Sequence, residues 1–185
     1  MKQLSLAIDL DRCIGCKTCV VACRNSHGIV DHENCMPGEI PYYLRVESEC
    51  KGVYPNLSET SWVVPCQHCK NAACIKACKA EAIVKDTETG IVRILADKCT
   101  GSRACIEACP YGVIQFDAAR NKAHKCDLCW DRVHMGEKPV CAEACMTDAI
   151  RFGEKEILKM ELEAEGKEIV KKMSAQSMIY FRTPG

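Results

Sequence analysis

Leu4, Leu6, Ile8 and Leu10 alternate with polar or small residues in "LSLAIDL", the period of a β-strand. Shorter β-rich runs recur at "EAIVKD", "GIVRIL", "GVIQFD" and "DAIRFG". "KDTETG" (85–90), closing on Gly90, predicts a hairpin turn between the first two of these. The segments "TCVVACRN", "AACIKACKA", "ACIEACP" and "VCAEAC" read as short helices between the strands. The implied unit is strand, loop, short helix, strand, and it repeats along the chain. Two stretches break the pattern. Residues 24–65 hold Gly28, Pro37, Gly38, Pro41, Gly52 and Pro55 and read as an irregular connection. Residues 153–185 begin with the helix-like "EKEILKMELEAEGKEIVKKM", interrupted at Gly166. They end in "SMIYF", a predicted strand with Ile179 and Phe181 on a buried face.

Each repeat carries cysteines, and these change the picture. Cys13, Cys16, Cys19 and Cys23 are spaced x2, x2, x3. Cys66, Cys69, Cys74 and Cys78 are spaced x2, x4, x3, and Cys126, Cys129, Cys141 and Cys145 are spaced x2, x11, x3. The remaining group is Cys99, Ser102, Cys105 and Cys109, followed by Pro110; a cysteine at 102 would complete the spacing of the first group. Of 17 cysteines in 185 residues, only Cys35 and Cys50 lie outside these groups.

Such density means a disulfide scaffold or a metal protein. An odd cysteine count fits a closed disulfide set badly, and "MKQLSLAIDLDRC" has neither the apolar core nor the cleavage site of an export signal. Aromatic residues make up only 5% of the chain, so something other than large side chains must fill the interior. The 25 basic and 25 acidic residues are interspersed, which argues against the basic face of a nucleic-acid-binding protein. No apolar run approaches the ~18 residues of a membrane span. The expectation is a soluble, cytoplasmic chain, with export alongside a partner left open.

A cubane of four irons and four sulfides takes one thiolate at each iron. A C-x2-C-x2-C loop wraps three thiolates around one cubane, and the next cysteine, on the following helix, reaches a second. Zinc also uses C-x2-C pairs, but it has no use for the evenly spaced triple of the first group.

The four-group order resembles the iron–sulfur subunit of dimethyl-sulfoxide-reductase-type molybdenum or tungsten oxidoreductases. The resemblance rests on "CIGCKTCVVAC", "CQHCKNAACIKAC", "ACIEACPYGVIQFD" and "KCDLCWDRVHMGEKPVCAEAC", with Gly52, Tyr54 and Pro55 as a "G-x-Y-P" element, and covers residues 4–152. The chain departs from the family at Ser102, and at Lys79 and Met146, where proline is common. The resemblance implies an α+β fold of two nested bacterial-ferredoxin-like modules. One is split, 1–30 plus 119–152; a connecting and docking segment, 31–59, follows; the second module is 60–118; and 153–185 is a C-terminal extension. It also implies three complete 4Fe–4S sites: Cys13, Cys16, Cys19 and Cys145; Cys126, Cys129, Cys141 and Cys23; and Cys66, Cys69, Cys74 and Cys109. Cys99, Ser102, Cys105 and Cys78 are left for a fourth. There the options are a 3Fe–4S cluster, a 4Fe–4S cluster held in part by oxygen, or no cluster. A hard hydroxyl suits such a site less than thiolate, so the expectation leans to an altered or absent cluster.

His27, His32, Cys35 and Cys50 could form a zinc site, but their spacing matches no established one, and free thiols with surface histidines are the plainer reading. His68 is expected to pack or hydrogen-bond near a cluster. Lys17, Lys70, Lys98, Arg103 and Lys125 stand close to the cysteine groups and read mainly as solvated side chains that add local positive charge. Trp130 and Arg132, after Cys129, match an aromatic and an arginine of the family and read as packing. No catalytic constellation stands out. The expected role is non-catalytic electron transfer to or from a molybdenum- or tungsten-pterin subunit. A free-standing polyferredoxin and a tungsten aldehyde-oxidoreductase-type partner, including aromatic-ring-reducing systems, are the alternatives.

Overall fold

The structure is a computed structural model that describes residues 2–29, 42–171, 173 and 177–184. In chain order the elements are β1 (Leu4–Asp9), α1 (Thr18–Ser26), β2 (Leu44–Val53), β3 (Asn56–Pro65), α2 (Ala73–Ala77), β4 (Ile83–Lys85), β5 (Val92–Ile94), α3 (Ala104–Glu107), β6 (Gln115–Asp117), β7 (Lys122–His124), α4 (Trp130–His134), α5 (Val140–Glu143), β8 (Ile150–Glu154), α6 (Lys155–Ala164), β9 (Glu168–Ile169) and β10 (Ile179–Arg182). This is the mixed α+β class that the pattern predicts.

β1 lies inside a four-stranded sheet of order β8-β1-β10-β9, antiparallel to β8 and parallel to β10. An inner strand is covered on both faces. Leu6 and Ile8 enter the larger core with Leu44, Val63, Ile150, Met178 and Tyr180. On the opposite face Ala7 packs with Ile179 and Phe181 under Leu158 and Leu162 of α6. The polar residues of β1 are therefore buried too, and each finds a partner. The Ser5 hydroxyl donates to the Ser177 carbonyl. The Asp9 carboxylate accepts from the amides of Asp11 and Arg12 at 2.9 and 3.3 Å.

The larger core joins both ends of the chain, Leu6 to Cys23 and Leu128 to Tyr180, and takes Leu44, Val63 and Ile91 from between them. A second core lies wholly within the middle: Ala72, Ile83, Val92, Cys105, Ile114 and Ala123. The hairpins β4–β5 and β6–β7 flank it. The predicted turn joins β4 to β5, with the Asp86 carboxylate accepting from the Thr89 amide and hydroxyl, both at 2.6 Å.

Two expectations need correction. Residues 24–65 are not irregular throughout: β2 and β3 form the longest hairpin, in register from Leu44 opposite Pro65 to Val53 opposite Asn56. Its outer half is exposed on both faces, so no hydrophobic alternation advertises it. Gly52 adopts φ 93° beside the turn, and a Cβ there would run into the Asn56 carbonyl. His32, Cys35, Pro37, Gly38 and Pro41 lie outside the described residues. In the tail the helix ends at Ala164, and Gly166, at φ 68°, turns the chain so that Glu168–Ile169 pairs with β10. The "SMIYF" strand forms as predicted, with Ile179 and Phe181 buried. Met178 and Tyr180 are buried as well, because the parallel pairing with β1 places this strand too inside the sheet.

Candidate metal centres

The cysteine loops share a backbone pattern. In the first, Gly15 and Lys17 take left-handed φ of 68° and 62° on either side of Cys16. In the third, Gly101 and Arg103 take 76° and 61° on either side of Ser102. The serine loop thus keeps the conformation of its cysteine counterpart. A second repeat follows the helices. Glu81 and Asp148, each three residues past a cysteine, both have φ 49°. The amides after them, Ala82 and Ala149, donate to Cys78 Sγ and Cys145 Sγ, each at 3.3 Å. The amides of His68, Leu128 and Ala123 likewise donate to Cys66, Cys126 and Cys99 sulfurs at 3.5, 3.4 and 3.5 Å. Amides aimed at sulfur favour the charged thiolate form, and such left-handed turns make concave sites for anions, iron–sulfur groups included.

Three small cavities lie among these loops. One is lined by Cys13, Cys16, Cys19 and Cys145. Another is lined by Cys66, Cys69, Cys74 and Cys109. A third is lined by Cys78, Cys99, Ser102 and Cys105. Each combines cysteines from two sequence groups. Cys23, Cys126, Cys129 and Cys141 are also mutual neighbours: the charges of Cys23 and Cys141 act on Cys126, and those of Cys129 and Cys23 act on Cys141. The 16 described cysteines are all free thiols.

Burial dominates the electrostatics. It pushes the Cys126 and Cys141 thiols well above their ordinary range, Cys19 up to about 12, and Cys69 and Cys105 up to about 11. Cys13, Cys74 and Cys129 move the same way for the same reason. Cys16, exposed at the rim and hydrogen-bonded to Thr18 at 3.4 Å, moves down. Buried thiols that converge around a common space, with amides aimed at their sulfurs, are a soft donor set suited to an iron–sulfur group. The fit extends to Ser102, which lines its cavity together with Cys78, Cys99 and Cys105. Ser102 faces solvent at its loop corner as Cys16 does at its own.

His68 is fully buried. The Val92 amide donates to its Nδ1 at 2.9 Å. That fixes the proton on Nε2, a buried atom with no protein partner among the described residues. Burial, then the Lys125 charge, holds its pKa well below the usual value. Of the five cations singled out in the sequence, Lys125 is not a solvated side chain: it is 3% exposed. Arg103 lies over the Phe116 ring, 3.8 Å from its centre, beside the serine cavity. Trp130 packs against the larger core and carries the Arg93 guanidinium 3.6 Å over its ring, joining the two cores. Arg132 donates to the Lys138 carbonyl at 3.0 Å and pairs with Glu137 and Glu143, bracing the loop before Cys141.

The zinc reading of the connection is not realised at its described members. His27 pairs instead with Asp127 at 3.2 Å and packs on Tyr43, with ring centres 4.4 Å apart, while Cys50 lies exposed on β2. His32 and Cys35 are outside the described residues. Burial opposes the His27 imidazolium, but Asp127 and Cys23 outweigh it and raise its pKa to about 11. Asp127 was not singled out in the sequence. Its only signal was an acidic residue between two cysteines, where its carboxylate accepts from the Cys129 amide at 2.9 Å.

Comparison with known proteins agrees with this geometry. Residues 61–155 match the 4Fe-4S dicluster domain, and residues 5–25 match a 4Fe-4S binding domain. One component of the anaerobic dimethyl sulfoxide reductase of Escherichia coli is 37% identical over 158 residues, covering 82% of this chain and 73% of that protein. One component of the sulfite dehydrogenase of Allochromatium vinosum is 35% identical over 169 residues, covering 83% and 70%. The formate dehydrogenase iron-sulfur subunit of Haemophilus influenzae is 33% identical over 183 residues, covering 87% of this chain but 54% of its own length. The chain spans about half the length of the formate dehydrogenase subunits that it matches. On the domain match and the covered length of these relatives, the chain belongs to the family of 4Fe-4S dicluster iron–sulfur subunits.

Proposed function

We propose that this chain is the non-catalytic electron-transfer subunit of a molybdenum- or tungsten-pterin oxidoreductase. When bound, iron–sulfur clusters supply one-electron redox chemistry. In this reading Cys13, Cys16, Cys19 and Cys145 hold one 4Fe–4S cluster, and Cys23, Cys126, Cys129 and Cys141 a second. Cys66, Cys69, Cys74 and Cys109 hold a third. Cys78, Cys99 and Cys105 hold a fourth cluster, altered at the corner where Ser102 stands in place of a thiolate. The observation that carries the reading is the set of three cavities, each lined by cysteines from two groups. The convergence of Cys78, Cys99 and Cys105 on one cavity favours a retained cluster there over an empty site. The second core, drawn from residues 72–123, supports an inserted module near 60–118, and the larger core, which joins both ends of the chain, supports a split one, 1–30 plus 119–152, although Val63 and Ile91 also enter it.

The chain's own residues set the environment of each site: thiols to ligate, amides aimed at sulfur, and apolar side chains to exclude water. No helix of the described residues is long and apolar enough to cross a membrane. The hairpin β2–β3 presents Val53, Tyr54 and Leu57 to solvent at its tip, 80, 85 and 60% exposed, and in this reading contributes docking surface toward a partner.

The test is anaerobic purification of the complex from its native source. It should yield about 12 to 16 irons per chain, as three or four clusters require, and a co-purifying pterin subunit. The type of that subunit separates the dimethyl-sulfoxide-reductase and aldehyde-oxidoreductase classes. Stoichiometric zinc would overturn the cofactor assignment, and iron-loaded chain recovered alone would favour a free carrier.

A further inference from the structure

Among the described residues Lys125 is the only buried lysine, at 3% exposure. It sits where the two cores meet. Its Nζ donates to the carbonyl of Cys126 at 2.9 Å, and also to the carbonyl of Val92. Val92 lines the cavity of Cys66, Cys69, Cys74 and Cys109. Cys126 belongs to the neighbouring set with Cys23, Cys129 and Cys141, and it packs with Cys66 and Val113 in one small apolar cluster. The ammonium is thus held by one carbonyl from the wall of each thiol set. Its charge acts on Cys74 on one side and on Asp127 on the other. No carboxylate lies within ion-pair distance of it among the described residues, and Asp127 is already engaged with His27.

A buried ammonium is costly unless negative charge compensates it. Two carbonyl dipoles do so only in part. Thiolate-ligated clusters on both sides would complete the compensation, and reduction makes such a cluster more negative still. A fixed cation nearby, in surroundings of low dielectric, therefore favours the reduced state. We propose that Lys125 sets the potentials of the two inner clusters, those of the Cys66 and Cys126 sets, and so favours electron residence where the wire passes from one module to the other. This rests on the ligand sets proposed above. The rival account makes Lys125 only a hydrogen-bond donor that closes the junction.

Neutral variants separate the two. Lys125→Gln can keep a donor without the charge, Lys125→Met removes both, and Lys125→Arg keeps the charge. All are measured in the iron-loaded complex by redox titration followed by electron paramagnetic resonance. Expected in Lys125→Gln and Lys125→Met is a fall in two cluster potentials, with the others unchanged and Lys125→Arg close to wild type. The fall should be on the order of a tenfold change in the oxidised-to-reduced ratio, about 59 mV for a one-electron couple. Full iron content with every potential unmoved in Lys125→Gln overturns the proposal. So does loss of iron in both neutral variants, which would make Lys125 a folding residue. Failure of the underlying ligand assignment shows separately, as low iron in the wild-type complex before any substitution is made.

Discussion

The hydroxyl of Tyr180 donates to the carbonyl of Val63 across 2.8 Å, linking residues 117 positions apart. It fastens the last strand to β3, three residues before Cys66. The neighbouring Ser177 amide reinforces it by donating to the Gln67 carbonyl at 3.2 Å, inside the second cysteine loop. The tail is therefore a clamp between the sheet and that loop. Tyr180→Phe should cost about 1–2 kcal/mol, the price of an orphaned buried acceptor. Phe181→Ala, at a fully buried position packed against Leu158 and Leu162, should cost about 3–5 kcal/mol. Anaerobic thermal unfolding checks both. Equal stability in the two variants would mean that the tail is not part of the cooperative unit.

Cluster assembly should release protons and become more favourable as pH rises. Burial lifts the folded-state pKa of Cys19, Cys69 and Cys105 to about 11 or 12, and raises those of Cys126 and Cys141 well above their ordinary range. In an iron-free folded chain these thiols are neutral at pH 7. Their contribution to its stability is full below the unfolded thiol value near 8.5 and is lost as pH rises toward the folded values. Ligation needs thiolate, so each such cysteine gives up a proton when it binds. Anaerobic reconstitution in weak buffer should acidify the solution by up to about one proton per ligating cysteine. An unchanged pH during reconstitution would refute the assignment of these thiols as ligands.

The hairpin, the tail and the cysteine loops differ in how far the sequence revealed them. The loops were readable because ligand spacing is a local code: Cys13 to Cys23 lie within one short stretch. β1 was readable from its alternation, yet the burial of Ser5 and Asp9 was not, since it depends on β10, far along the chain. The outer half of β2–β3 is polar on both faces and is held by backbone pairing, which leaves no periodic trace. The break at Gly166 was legible, but the exchange of helix for strand after it was not. Pairing of Glu168–Ile169 with β10 decides that segment, and local propensity does not. The Lys125 and Asp127 environments arise where distant segments meet, so sequence could only point to charged residues near cysteines.

Substitution at the hairpin tip should separate docking from folding. Val53, Tyr54 and Leu57 make few contacts with the body, so Tyr54→Ser combined with Leu57→Ser should change stability by less than about 0.5 kcal/mol, as surface substitutions do. If the tip meets the catalytic partner, the same pair should weaken co-purification at least several-fold with cluster content intact. Undiminished recovery of the complex would remove the tip from the interface.

Ser102→Cys is the most direct probe of the fourth site. The loop needs no rebuilding, because Gly101 and Arg103 already hold the left-handed conformations that flank Cys16 in the first loop. A thiol at position 102 would face the same space, since Ser102 already lines the cavity with Cys78, Cys99 and Cys105. Ligand counting gives wild type three thiolates, from Cys78, Cys99 and Cys105, and a corner open to a hydroxyl or water. Thiolate is the better partner for that iron. The expected wild-type state is therefore a cluster that is altered at this corner, most simply a three-iron form with its own spin signal when oxidised. Ser102→Cys should remove that signal and add about one iron and one conventional reduced cubane signal per chain. Ser102→Ala should leave the three-iron signal in place, because the hydroxyl is not needed to hold the other three irons. If wild type already carries about 16 irons and four cubane signals, and Ser102→Cys changes neither, then oxygen at position 102 is a sufficient ligand and the site is an ordinary cubane in all but its fourth donor.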